Sequence, residues 1–232
     1  MHHLTVGSGA DIFLLHGWGA SSSAFSFVLD ALGRAGFRAT APDFAGFGAT
    51  PEPETPRGVP EYAADALALA DGLGAKKAIW VGHSFGGRVA LEIAAKHPER
   101  AAGLVLVDSA GLRPRRPPSY HIRVALHKLL KRLGGSGLKG SADYRELSPV
   151  MKAVFVRVVN YDETPLLARI ACPTAVFWGD RDRETPLYMA KRFVRGIEDS
   201  RLFMLSGGHF AYAEDPDKFV RVLIAFVRAL TN

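Results

Sequence analysis

Cysteine is almost missing from this sequence: Cys172 stands alone among 232 residues. One thiol cannot build an internal disulfide framework, and a cysteine-based metal site is not expected. Nor is there a run of about 18 uncharged apolar residues, so no transmembrane helix is expected. The opening residues, Met1-His2-His3-Leu4-Thr5, lack a basic stretch leading into an apolar one. No secretory leader is therefore expected, and the cytoplasm is the expected location. The sequence offers no His/carboxylate cluster for a metal, so no metal cofactor is expected.

What is present is globular. Hydrophobic residues make up 48% and charged residues 22% of the chain, which argues against disorder. The length suits one α/β domain, or one domain with a small insertion. A chain of this size buries roughly 70% of the surface its unfolded form exposes, enough for a core without staples.

Short apolar runs recur at 11–15, 37–41, 77–82, 103–107, 173–178 and 201–205. Most are nearly continuously apolar, which fits strands covered on both faces of a parallel sheet. Helical spacing fills the gaps at about 24–34, 61–72, 85–96, 187–195 and 217–230. Alternating strands and helices imply right-handed crossovers and an open α/β sheet. In such sheets functional loops gather at the carboxyl ends of the strands. No Gly-x-Gly-x-x-Gly follows the first run, so no dinucleotide is expected.

The rhythm breaks once, between Leu112 and Asn160. This stretch holds 11 Lys/Arg against two acids, Asp143 and Glu146, while the rest of the chain holds 18 basic and 21 acidic residues. A slightly acidic body thus carries one strongly basic segment, within a formal net charge of +6. Arg113 to Pro118 reads as a stiff linker. Helical spacing follows near 120–133, then Gly134-Gly135-Ser136-Gly137, then helical spacing again at about 143–158. The segment reads as a small helical insertion over the sheet. Pro51-Glu52-Pro53-Glu54-Thr55-Pro56 reads as an exposed, turn-rich loop.

The sharpest chemical signal is Gly82-His83-Ser84-Phe85-Gly86-Gly87, with strand-like Ile79-Trp80-Val81 before it and helix-like residues after it. Gly-x-Ser-x-Gly places a serine on a strained strand-to-helix turn, its oxygen projecting above the sheet. The plain alternative is a serine that only caps the helix. A serine hydroxyl is a weak nucleophile and needs a base. His209, in Gly207-Gly208-His209-Phe210, lies between the last strand and the last helix and is the candidate. The base in turn needs a carboxylate. Asp182 is favoured, with Asp180 and Asp108 as alternatives, since all three follow strand ends.

The order Ser84, Asp182, His209 resembles that of α/β-hydrolase-fold serine hydrolases. The chain is especially similar to the small capped group holding esterases, carbon–carbon bond hydrolases and pimeloyl-carrier-protein methyl ester esterases. The resemblance covers nearly everything outside 112–160 and includes Leu14-Leu15-His16-Gly17-Trp18-Gly19. It implies that the backbone N–H groups of Trp18 and Phe85 hold an oxyanion, donors worth roughly 3–4 kcal/mol each. It also places a lid at 112–160. A serine nucleophile excludes the relatives that use aspartate, the epoxide hydrolases and haloalkane dehalogenases.

The expected function is therefore a serine esterase acting on a small-molecule ester without a cofactor. Thioester or carbon–carbon bond hydrolysis, and a non-catalytic ligand-binding module, are the alternatives. His16 and the turn Asp43-Phe44-Ala45-Gly46-Phe47-Gly48 read as architecture, and Cys172 as a buried, inert thiol. His83 either lines the acyl pocket or only packs. The basic insertion reads first as a lid with solvated charges. It also suits docking of an acidic partner such as an acyl carrier protein, or of an anionic substrate, or contact with an anionic membrane surface. Nucleic acid is not expected, since Tyr120 and Tyr144 are the only aromatics interleaved with the basic residues from Arg113 to Arg145.

Overall fold

The computed structural model describes residues 1–114 and 146–231. The expected helix near 120–133 and the first residues of the one at 143–158 lie outside the described residues. The strands are β1 (His3–Val6), β2 (Asp11–Leu15), β3 (Arg38–Pro42), β4 (Ala78–His83), β5 (Ala101–Val107), β6 (Thr174–Gly179) and β7 (Ser200–Leu205). The described helices are α1 (Ser26–Arg34), α2 (Val59–Gly72), α3 (Phe85–Lys96), α4 (Pro149–Asn160), α5 (Leu187–Gly196), the single turn α6 (Ala211–Glu214) and α7 (Pro216–Thr231).

The seven strands form one sheet in the order β1-β3-β2-β4-β5-β6-β7. All neighbours are parallel except β1, which runs antiparallel to β3 with His3 opposite Pro42. The expected runs all become strands, and β1 is an addition. Its four residues are half-buried at best, so it has no apolar run to announce it.

The continuous apolar character of the inner strands follows from burial on both faces. Phe13, Leu15, Trp80, Leu104, Leu106, Val176 and Trp178 point into one core with α2, α3, α4 and α5. Their neighbours Ile12, Leu14, Ile79, Val81, Val105, Val107, Ala175 and Phe177 point into the other, beneath α1 and α7. The period of two divides each strand between the two layers.

The 112–160 stretch leaves and rejoins this body at one place, where the Glu163 N–H donates to the Gly111 carbonyl (3.0 Å). Within it, α4 starts at Pro149, with the Ser148 hydroxyl accepting the Met151 N–H at 3.1 Å. Its Met151, Val154 and Val158 are buried at helical spacing. Both its ends reach the loop at 51–56: Ser148 donates to Glu52 (2.6 Å) and Arg157 to the Pro56 carbonyl (2.5 Å). That loop is largely exposed, as expected, but Pro53 is buried and the loop is the platform on which α4 sits.

Candidate active site

Ser84 follows β4 immediately and has φ 50° and ψ −108°. A non-glycine residue with this backbone is strained, at a cost of about 1–3 kcal/mol. The surroundings hold it there. The Ser84 N–H donates to the Val107 carbonyl at the end of β5 (3.0 Å), and the Ser84 carbonyl accepts from Gly87 and Ala110. Side chains would break the turn: a Cβ on Gly82 would collide with the Gly86 carbonyl, and one on Gly86 with the Leu15 carbonyl. The glycines of the motif are therefore needed for close backbone approach.

His209 sits in the loop after β7. Three carboxylates hold that loop by its backbone: Asp215 accepts from Ser206 (3.1 Å), Asp180 from Gly207 (3.0 Å) and Glu214 from Gly208 (3.0 Å). The imidazole is thereby aimed at Ser84, with Nε2 2.9 Å from the Ser84 Oγ. Its Nδ1 lies 2.9 Å from Asp182 Oδ2. With the Nδ1 proton directed at the carboxylate, Nε2 is left to accept from the serine hydroxyl.

Asp182 is in the turn after β6, its side chain fully buried. Its Oδ1 accepts from the N–H groups of Glu184 (2.8 Å) and Thr185 (3.0 Å), and its Oδ2 accepts from the Thr185 hydroxyl (2.5 Å). Burial acts to raise this carboxyl, but the His209 and Thr185 bonds outweigh it and hold it below the usual carboxylate range. Burial also acts to lower the His209 imidazole, and there the Asp182 bond and charge prevail, raising it above its ordinary value. Thr185 was not legible as a site residue, although an aspartate that accepts from the backbone two residues on, as Asp182 does from Glu184, is a common turn former.

The two alternative acids do other work. Asp180 binds the Gly207 backbone, not the imidazole. Asp108, fully buried at the end of β5 with φ 43°, accepts from the Gly179 N–H at 2.7 Å through Oδ1. Its Oδ2 has no hydrogen-bond partner among the described residues. Burial pushes this carboxyl up to about 8, despite the Gly179 bond.

Gly17 lies against the turn that carries Ser84: a Cβ there would stand 2.8 Å from His83 Nδ1 and 3.5 Å from Ser84 Cβ. The next N–H belongs to Trp18, and the N–H after Ser84 to Phe85 at the start of α3, where a helix has no internal acceptor. Neither donates to an acceptor among the described residues. His16 fixes the first loop: its Nε2 accepts from the Phe44 N–H (3.1 Å) and its Nδ1 donates to the Gly17 carbonyl (2.8 Å). Burial lowers its pKa and keeps it neutral. Asp43 accepts from Ser22 (2.6 Å) and Ala49 (2.8 Å), consistent with an architectural turn.

His83 does more than pack. It is buried, and its Nε2 donates to the carbonyl of His209 (2.7 Å). Burial pulls it down to about 3, so it stays a neutral donor. It ties the turn carrying Ser84 to the loop carrying the imidazole. Cys172 is buried, its thiol pushed up to about 11 by burial.

Beside the loop of Trp18 lies an aromatic cluster. The indole meets Phe47 (4.9 Å between centroids), Phe85 (5.7 Å) and Phe155 of α4 (5.1 Å), all near edge-on. Phe155 was hidden in the sequence as one more apolar residue of a helical stretch. Among the described residues, no three His, Cys, Asp or Glu side chains are grouped to hold a metal ion, and no helix is long and apolar enough to cross a membrane.

Compared with known proteins, the chain matches the Alpha/beta hydrolase family over residues 12–222. It is 29% identical over 262 aligned residues to the 2-hydroxy-6-oxo-6-phenylhexa-2,4-dienoate hydrolase of Comamonas testosteroni, covering 98% of this chain and 91% of that one. It is 27% identical over 246 aligned residues to the pimeloyl-acyl-carrier-protein methyl ester esterase of Chromobacterium violaceum, covering 94% of each. The solved enol-lactonase from Burkholderia xenovorans LB400 shares the fold, with a TM-score of 0.76 over 98% of this chain and 96% of that chain at 23% identity.

Proposed function

The chain belongs to the alpha/beta hydrolase family, and from that premise we propose that it hydrolyses carboxylic esters through an acyl-enzyme formed on Ser84. The observation that carries this reading is the unbroken chain of hydrogen bonds from Ser84 Oγ through His209 to Asp182, each ring nitrogen 2.9 Å from its partner.

Ser84 Oγ attacks the ester carbonyl as His209 Nε2 takes its proton. The carbonyl oxygen becomes an oxyanion, held by the Trp18 and Phe85 N–H groups. Asp182 keeps the tautomer and stabilises the imidazolium. The C–O bond to the alcohol then breaks, and Nε2–H gives its proton to the departing oxygen. Water, deprotonated by the same nitrogen, attacks the acyl-enzyme, and the returning proton frees Ser84. The aromatic cluster around Trp18 forms an apolar wall for the acyl chain, with residues 112–160 as a lid that includes α4.

The name of the Chromobacterium relative supports an ester substrate, and with it an acyl-carrier-linked acid docking on the basic lid. Thioester and carbon–carbon substrates would use the same groups. The test is labelling by a fluorophosphonate, followed by mass spectrometry. One adduct per chain on wild type and none on Ser84→Ala is expected. A well-folded wild type that does not label would favour a ligand-binding module and end the reading.

A further inference from the structure

The reacting nitrogen of His209 has a second neighbour, besides Ser84, that the mechanism does not use. Glu184 Oε2 lies 3.6 Å from Nε2, on a side chain that is 69% exposed. Its backbone is fixed by the turn of the acid itself, since the Glu184 N–H donates to Asp182 Oδ1. The other groups facing the imidazole are accounted for. Asp182 is bonded to Nδ1, the Thr185 hydroxyl 3.4 Å from Nδ1 donates to Asp182, Asp108 is buried, and His83 is a neutral donor to the backbone. Arg181, on the same loop, pairs with Asp180 at 3.8 Å. Phe210, 48% exposed, places its ring 5.6 Å from the imidazole.

Resting on the hydrolase reading above, we infer that Glu184 selects the alcohol half of the substrate by charge, favouring an ammonium-bearing or neutral leaving group over an anionic one. The geometry fixes which half it meets. In acylation the departing oxygen must come within about 3 Å of Nε2 to receive its proton. That oxygen then lies no farther than about 6.6 Å from the Glu184 carboxylate, given the 3.6 Å separation. The acyl half lies instead toward Trp18 and Phe85, among aromatic rings. A unit charge on the alcohol a few atoms from the scissile oxygen interacts with Glu184 strongly enough to change kcat/KM roughly tenfold in either direction. The Phe210 face adds a second group that attracts a cation. This local preference opposes the +6 net charge of the chain, so bulk attraction would give the reverse order.

The experiment compares three esters of one acyl group whose alcohols carry a trimethylammonium group, no charge, or a sulfonate. kcat/KM is measured for wild type, Glu184→Gln and Glu198→Gln. Glu198 lies in the turn before β7, at the amino end of that strand, whereas His209 follows its carboxyl end. Wild type and Glu198→Gln should prefer the cation over the anion by roughly 100-fold in total, and Glu184→Gln should lose most of that ratio. Hydrolysis with the same ratio in Glu184→Gln, or a wild-type preference for the anion, overturns the inference and leaves the hydrolase reading standing. No turnover of any ester, with no fluorophosphonate labelling, overturns both.

Discussion

Two turns at the carboxyl edge of the sheet each bury an aspartate, and they treat it in opposite ways. After β6, Asp182 receives two backbone N–H groups, the Thr185 hydroxyl and the His209 ring, and is held below the usual range. After β5, Asp108 receives the Gly179 N–H, has one oxygen with no hydrogen-bond partner among the described residues, and is pushed up to about 8 by burial. Both side chains are shut away from solvent. Burial alone therefore does not decide whether a carboxylate is charged; the supply of donors does. A group meant to stabilise an imidazolium must be ionised, and only the Asp182 turn provides for that.

The largest expected effect tests the charged member of the pair. Asp182→Asn should lower kcat for a neutral ester by roughly 10³- to 10⁴-fold, because the amide no longer holds the Nδ1–H tautomer. Asp180→Asn, whose side chain meets the Gly207 backbone and Arg181 but not the imidazole, should cost far less. The pH profile supplies the sign. His209 must be neutral to act as base, so kcat/KM falls as pH drops through its raised pKa. Removing the Asp182 charge lowers that pKa, so the residual activity of Asp182→Asn should persist to lower pH than that of wild type. If Asp180→Asn is the crippling change, the assignment of the acid is wrong.

Asp108 sharpens the comparison through stability rather than rate. Its carboxyl is raised in the folded chain, from an unfolded value near 3.8 to about 8. Below pH 3.8 both states hold the proton and nothing changes. Between that pH and about 8 the unfolded chain releases it and the folded chain does not, so wild type loses stability as pH rises. Asparagine cannot ionise and tolerates the positive φ. Asp108→Asn should therefore gain on wild type by at most about 1.4 kcal/mol per pH unit, or about 2–4 kcal/mol between pH 5 and pH 8. Urea midpoints at the two pH values measure it. An equal difference at both would show that Asp108 is ionised in the folded state.

Much of this was readable from the sequence, for identifiable reasons. The inner strands are nearly continuously apolar because two layers of helices cover them, so β2 and β4–β6 stand out. The Ser84 turn is legible because its glycines stand at fixed offsets from the serine, although Gly86 makes room for the distant Leu15 carbonyl. β1 escaped notice because an edge strand of four partly exposed residues needs no such pattern. The choice between Asp180 and Asp182 was harder. They are two residues apart, and both serve His209, one through the loop backbone and one through the ring. Which does which depends on how the turn closes through Thr185, a contact that spacing does not encode. Glu184 and Phe155 were invisible for the same reason: an exposed acid and an apolar helix residue become site groups only when distant segments meet.

The smallest expected effect concerns Thr185, whose hydroxyl accounts for part of the difference between the two turns. It donates to Asp182 Oδ2 at 2.5 Å and also lies 3.2 Å from the Asp108 carbonyl. Thr185→Val keeps the shape and removes one donor to a buried carboxylate, a loss worth about 1.5–3 kcal/mol for a hydrogen bond to a charged group. The backbone N–H groups of Glu184 and Thr185 remain, so Asp182 should stay ionised, and kcat should fall only about tenfold. The acid limb of the pH profile should move little, because the charge facing His209 is still present. If Thr185→Val instead reproduced both the rate and the pH shift of Asp182→Asn, the hydroxyl alone would be what keeps the carboxylate ionised, and the two backbone donors would count for little.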